Sequence, residues 1–142
     1  MKKYSFPLDR VLDWKTVVAE REQLTLQTLK QKQEEITESL LNLSTRIDDL
    51  SRDTHSADSG HELAYTAQVR SALMRHKTRT ELEHARGETQ IASQQVKYRV
   101  AETQRKLIDK LKDRSYDEWS AELARETDAT AADLYLSSWN RR

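Results

Sequence analysis

The feature that most constrains this chain is a heptad seam. Between Leu26 and Leu50 apolar residues recur at alternating steps of three and four, at Leu26, Leu29, Ile36, Leu40, Leu43, Ile47 and Leu50, with Gln33 alone out of character. That spacing lays one apolar stripe along a helix and asks for a second helix to cover it. The chain has only two Gly and one Pro in 142 residues and no strand pattern, so the seam sets the reading of the whole. It predicts an all-α fold: a long antiparallel two-helix coiled-coil hairpin, residues 1–142 forming a single coiled-coil domain.

Pro7 suits a first helical turn, where its missing N–H costs nothing, with Ser5 as a candidate cap and Leu8, Val11, Leu12, Trp14 and Val18 as the first apolar face. Helix one is predicted from about 8 to 52. The run from Asp53 to His61 carries five turn-favouring residues in nine and breaks the apolar period, which predicts the hairpin turn at about 53–61. Apolar or small residues then continue at Leu63, Val69, Leu73, Leu82, Ala85, Ala92, Val96, Val100, Leu107 and Leu111. This predicts a second, longer helix at about 62–136 and a tail at 137–142. A turn centred near Ala57 would set Val18 against Val96, Leu29 against Ala85 and Leu50 against Ala64, large residues meeting small ones. Residues beyond about Ser115 would overhang the N-terminus, with an apolar stripe at Tyr116, Trp119, Leu123, Ala131 and Leu134 that no helix of the chain covers.

Two helices bury one stripe each and enclose no deep pocket, so catalysis is not expected and function is sought in surfaces and ends. Gly60 and Gly87 stand alone, which excludes a phosphate-cradling glycine loop, and no nucleophile elbow or zincin motif occurs. His55 and His61 fall in the turn with Asp53 and Asp58, and His76 and His84 are eight apart; neither spacing makes the i, i+4 face of a helical metal site. No catalytic residue, metal or cofactor is predicted.

The 24 basic and 24 acidic side chains cancel, and the cations Arg70, Arg75, Lys77, Arg79 and Arg86 keep no single helical face, so nucleic acid is not an expected partner. Local charge is uneven: seven basic and three acidic residues from Lys97 to Arg114, then six acidic and one basic from Asp117 to Asp133. That polarity suits a docking end. The absence of cysteine excludes disulfides and is compatible with a reducing cytoplasm. Met1-Lys2-Lys3 opens no apolar segment of a signal peptide. No window approaches the roughly 20 apolar residues that span a bilayer, so no direct membrane insertion is expected.

The opening Tyr4-Ser-Phe-Pro-Leu-Asp-Arg-Val-Leu-Asp-Trp-Lys, the following Glu20-Arg-Glu-Gln and the Leu/Gln/Lys/Glu-rich helix resemble the start of FliJ-family flagellar export proteins. Lys106-Leu-Ile-Asp-Lys-Leu-Lys-Asp-Arg, Tyr116 and the acidic stretch from Glu126 to Asp133 resemble that family's C-terminal pattern. The resemblance implies a non-enzymatic coiled-coil stalk and chaperone of type III protein export. Its terminal end would enter the hexameric flagellar export ATPase and stimulate it. Its other end would reach a membrane export gate protein, and export chaperones would be further partners. The implied location is cytoplasmic, peripherally associated with the inner membrane at the flagellar base.

Carried onto this chain, the ATPase-docking residues would be Phe6, Leu8, Leu12, Trp14, Leu107, Leu111, Tyr116, Trp119 and Leu123. The export-gate-facing residues would be Leu43, Ile47, Leu50, Tyr65, Val69 and Leu73. Two other readings are compatible with these residues: the equivalent stalk of a virulence-type secretion system, and a structural spacer that dimerises through the 115–142 overhang.

Overall fold

The structure is a computed structural model that describes residues 3–54 and 59–139. Its two elements are α1, Asp9–Asp53, and α2, Gly60–Trp139, of 45 and 80 residues, packed against each other with no strand among the described residues. The fold is therefore an all-α helical hairpin with a longer second helix.

Local chemistry sets the helix ends. The Asp9 amide donates to the Phe6 carbonyl at 3.3 Å and the Leu12 amide to Leu8 at 2.9 Å, so Pro7 and Leu8 form the turn that feeds α1. Asp9 sits in the first turn and Arg52 in the last, each opposite in sign to the helix dipole it meets. At the start of α2 the Ser59 hydroxyl accepts the Glu62 amide at 3.3 Å and the Ser59 carbonyl accepts Leu63 at 3.2 Å. This N-cap begins the helix at Gly60. The middle of the expected turn, residues 55–58, lies outside the described residues, as do residues 140–142 of the expected tail; residues 137–139 are helical.

The chain divides into two packed units, residues 21–98 and residues 3–20 with 99–139. In the first, Leu26, Leu43 and Ile47 are buried and Leu29, Gln33, Ile36, Leu40 and Leu50 half-buried, so the heptad seam of α1 is the packed face. The face that α2 offers departs from its apolar periodicity. Leu82 and Val96 are exposed, as are Ala85 and Ala92, while Thr80 and Gln94 are buried and His84, Gly87, Ile91 and Tyr98 half-buried.

Two amides explain that choice. Gln33 Nε2 donates to the His84 carbonyl at 3.0 Å, and Gln94 Nε2 donates to the Glu22 carbonyl at 3.1 Å and to its carboxylate. Each helix thus fastens a glutamine onto the backbone of the other. The approach needs little bulk opposite Gln33, and a Cβ at Gly87 would collide with its amide oxygen. These pairs displace the register at least two residues along α2 from pairing about Ala57.

In the second unit Phe6, Ala19 and Ala101 are buried, with Leu12, Thr16, Val18, Arg105, Ile108 and Ser115 half-buried. Val100, Leu107 and Leu111 face outward. Threonines along both helices close their hydroxyls onto carbonyls four residues back, as Thr16 does to Leu12 at 2.9 Å and Thr80 to His76 at 3.0 Å. Buried or not, these hydroxyls need no partner from the other helix.

Candidate protein-docking surface

The unit built from 3–20 and 99–139 gathers most of the aromatic side chains. Tyr4, Tyr116 and Trp119 form a cluster, with ring centroids 5.2 Å apart for Tyr4 and Tyr116, 5.6 Å for Tyr4 and Trp119, and 5.7 Å for Tyr116 and Trp119. The Tyr4 hydroxyl donates to the Lys112 carbonyl at 3.1 Å, and the Lys112 ammonium reaches the Asp9 carboxylate at 2.8 Å. Phe6, buried, sits between these two fastenings in sequence. Residues 4–9 are thereby clasped onto α2. The hydrogen bond from Asp9 raises the pKa of Lys112 above its ordinary 10.5, against a smaller opposing effect of desolvation.

Further along, Lys15 donates to Gln104 at 2.7 Å and stands 4.7 Å from the Trp14 ring centroid, a cation–π contact. Glu102 takes two hydrogen bonds from Arg105, at 2.8 and 3.0 Å, and lies 3.6 Å from Lys106; Arg105 also reaches Asp109 at 3.7 Å. Hydrogen bonding from Arg105 holds the Glu102 carboxyl below its ordinary 4.5, although desolvation opposes it. Arg114 pairs with Glu118 at 3.0 Å. Much of the uneven charge of α2 is therefore engaged along the helix itself.

Of the residues assigned to ATPase docking, Phe6 is buried, and Leu12, Trp119 and Leu123 are half-buried. Leu8, Trp14, Leu107, Leu111 and Tyr116 are exposed, Trp14 at 59% and Leu107 at 57%. The structure places the two stretches of that assignment in one unit, with the first group turned into its packing and the second outward. Beyond Leu123 every described residue is exposed, so residues 124–139 form a helix with no partner helix in this unit. Leu134, Tyr135, Leu136 and Trp139 stand on it uncovered, with Tyr135 and Trp139 6.3 Å apart.

The residues assigned to the export gate lie in the other unit. Leu43 and Ile47 are buried in the helix–helix seam, Leu50, Val69 and Leu73 are half-buried along it, and Tyr65 is exposed. Leu24, Leu41 and Met74 are exposed apolar side chains of the same unit that the heptad pattern does not mark. The signal for Leu41 was available: it adjoins the seam residue Leu40 but sits off the heptad, so a packed Leu40 turns it outward.

Among the described residues no group of three or more His, Asp or Glu side chains could hold a metal ion, and His61 and His76 are exposed. His84 is half-buried beside the seam, 3.9 Å from Glu88, and His55 lies outside the described residues. Among the described residues no helix is long and apolar enough to cross a membrane. The arrangement offers apolar and aromatic surface on a charged helix pair, which is the chemistry of protein docking. A sequence model of the family described as "FliJ: Flagellar FliJ protein" matches residues 4–134. No curated protein and no solved structure gives a significant match.

Proposed function

The chain belongs to the FliJ family, whose members are flagellar type III export-associated proteins, and we propose that it is the coiled-coil stalk that binds and stimulates the flagellar export ATPase ring. The single observation that carries this reading is the family match over 4–134, which takes in both the clasped N-terminal segment and nearly all of α2. The uncovered apolar surface supports it. Leu8, Trp14, Leu107, Leu111 and Tyr116 would enter the ring, held in place by Phe6, Leu12, Trp119 and Leu123.

Coupling to the membrane export gate is assigned to Tyr65 with the half-buried edges of Leu50, Val69 and Leu73; Leu43 and Ile47 keep that region's two helices together. The protein acts through surfaces and not through chemistry of its own, and it would also receive export chaperones. Its place is in the cytoplasm against the inner membrane at the flagellar base, held there by partners. Its loss would cost the cell flagellar assembly and motility. The flagellar family match favours this system over a virulence-type one.

The test is ATP hydrolysis by the export ATPase of the same organism with the chain titrated in. Trp14→Ala removes an exposed ring and should leave helicity unchanged while reducing stimulation by about tenfold. Trp119→Ala, which also opens the aromatic cluster, should reduce it further. No stimulation by the folded wild-type chain would reject the stalk reading.

A further inference from the structure

We propose that the flank of the helix pair carrying Lys32, Arg86 and Lys97 is a groove that receives an acidic amphipathic helix of another protein. All of it lies within the unit of residues 21–98. A hollow of about 670 Å³ runs between the helices there, lined by Leu29, Arg86, Thr89, Gln90, Ser93 and Lys97. A second hollow of about 320 Å³ shares Leu29, Arg86 and Gln90 with it and adds Lys32, Glu83 and Gly87, so the two form one groove. The space follows from the sequence of α2. With Gly87, Thr89 and Ser93 on this flank, α2 closes no large apolar side chain over Leu29, which stays half-buried.

Charge names the occupant. Lys32, Arg86 and Lys97 line the groove against one acid, Glu83; all four are exposed, and among the described residues none of the three cations makes an ion pair. The opposite flank of the same helices differs. Its hollow of about 470 Å³ sets Lys30 against Glu34 and Glu88, and the Glu88 carboxylate stands 3.9 Å from His84. An acidic partner is thus drawn to one side of the pair. Arg86, Gln90, Ser93 and Lys97 follow at steps of four, three and four, which keeps them on one face of α2 and sets the two cations three turns apart, about 16 Å. A helix laid along the groove with carboxylates at that spacing reaches both, while apolar residues between them cover Leu29 and the aliphatic stems of the cations. Nucleic acid fits less well, because no aromatic ring lines the groove to stack a base and Glu83 repels phosphate. A membrane surface calls for a protruding apolar face, which a recess does not offer.

None of these residues is assigned above to the ATPase or the export gate, and the test uses the full chain alone, so its failure leaves the stalk reading standing. The probe is a fluorescein-labelled helical peptide of Ala and Gln that carries Glu, Leu, Leu and Glu at steps of four, three and four. Fluorescence anisotropy is expected to show binding with a dissociation constant below about 1 mM that weakens with added salt. The same peptide with Lys in place of both Glu should bind at least about tenfold more weakly. Arg86→Glu with Lys97→Glu should raise the dissociation constant by about tenfold at unchanged helicity, whereas Lys30→Glu on the opposite flank should leave it unchanged. The proposal is overturned by no binding up to about 1 mM, by equal binding of the Lys peptide, or by a dissociation constant that the double variant does not raise or that Lys30→Glu raises as much. An oligothymidine strand that binds more tightly than the peptide and displaces it also overturns it, and would make the groove a phosphate surface.

Discussion

Gln33 is the residue that breaks the apolar seam of α1, and the structure makes it a fastener instead of a flaw. Its amide spans to the His84 carbonyl at 3.0 Å and fills the space where Gly87 has no side chain. Gly87→Ala gains about 1 kcal/mol of helix propensity but drives the Gln33 amide off its acceptor, a loss of about 1 kcal/mol. The single variant should therefore unfold close to wild type. A thermal-melt cycle with Gln33→Ala should show non-additivity of about 1 kcal/mol, and simple additivity would deny the contact. Gln94 makes the sharper case, because it is buried and donates both to the backbone and to the carboxylate of Glu22. Gln94→Glu sets two carboxylates together in that place, so it should destabilise by about 2 kcal/mol at neutral pH and recover as pH falls and one of them takes a proton. Glu102 behaves in the opposite sense. Its pKa lies below 4.5 in the folded chain, so its contribution is present above pH 4.5 and is lost as pH falls below that value. Acid melts should show a loss that Glu102→Gln reduces. Lys112, raised above 10.5, contributes below that pH and loses its hold on Asp9 only as pH rises past it.

At the scale of the helix, α1 and α2 bury themselves by different means. α1 uses large aliphatic side chains at heptad spacing, and its packed face was legible for that reason: Leu26, Leu43 and Ile47 are buried. α2 packs with Thr80, Gly87, Gln94 and Ala101 and sends Leu82, Val96, Val100 and Leu107 outward. A reading that equates large apolar residues with the packed face therefore holds at Val69 and Leu73 but selects the wrong side of α2 from Leu82 to Leu111. The close approach of two backbones favours small residues, and the glutamine bridges supply the remainder of the fit. The last stretch of α2 differs again, because from 124 to 139 every residue is exposed and no described residue of its unit covers it. Ending the chain after Leu123 should remove helical signal in proportion to the residues lost and shift the unfolding free energy by less than about 0.5 kcal/mol. A larger loss would mean that this helix is held by contacts of the chain itself. The opposite holds for the clasp: Tyr4→Ala removes a ring from the Tyr116–Trp119 cluster as well as a hydrogen bond, and should cost about 1 to 2 kcal/mol in thermal melts.

At the scale of the whole molecule, the burial is thin. Among the described residues no large side chain is buried to the last 2% of its surface, and much of the apolar content remains outside. Hydrophobic stabilisation grows with the area removed from water, so high helicity should accompany a modest thermal midpoint, at or below about 55 °C in circular dichroism. Binding of the export ATPase should raise that midpoint, since a partner that binds only the folded chain shifts the equilibrium by mass action. A midpoint above about 70 °C for the chain alone would contradict this account of its burial. The same thinness leaves apolar surface that is not spent on the chain's own fold and is available to other proteins.

The amino-acid sequence alone determined the helical class, because sustained heptad spacing with two glycines and one proline leaves the backbone little else to form. It also determined the family, since the residues that carry the likeness lie in linear order across 4–134. Tertiary structure alone decided which side of α2 is the packed one, where the register stands, and which of the apolar and aromatic side chains are buried and which exposed. Those outcomes depend on how closely two backbones approach and on where two glutamine amides find carbonyls across the gap. A pattern read along one helix carries no information about that distance.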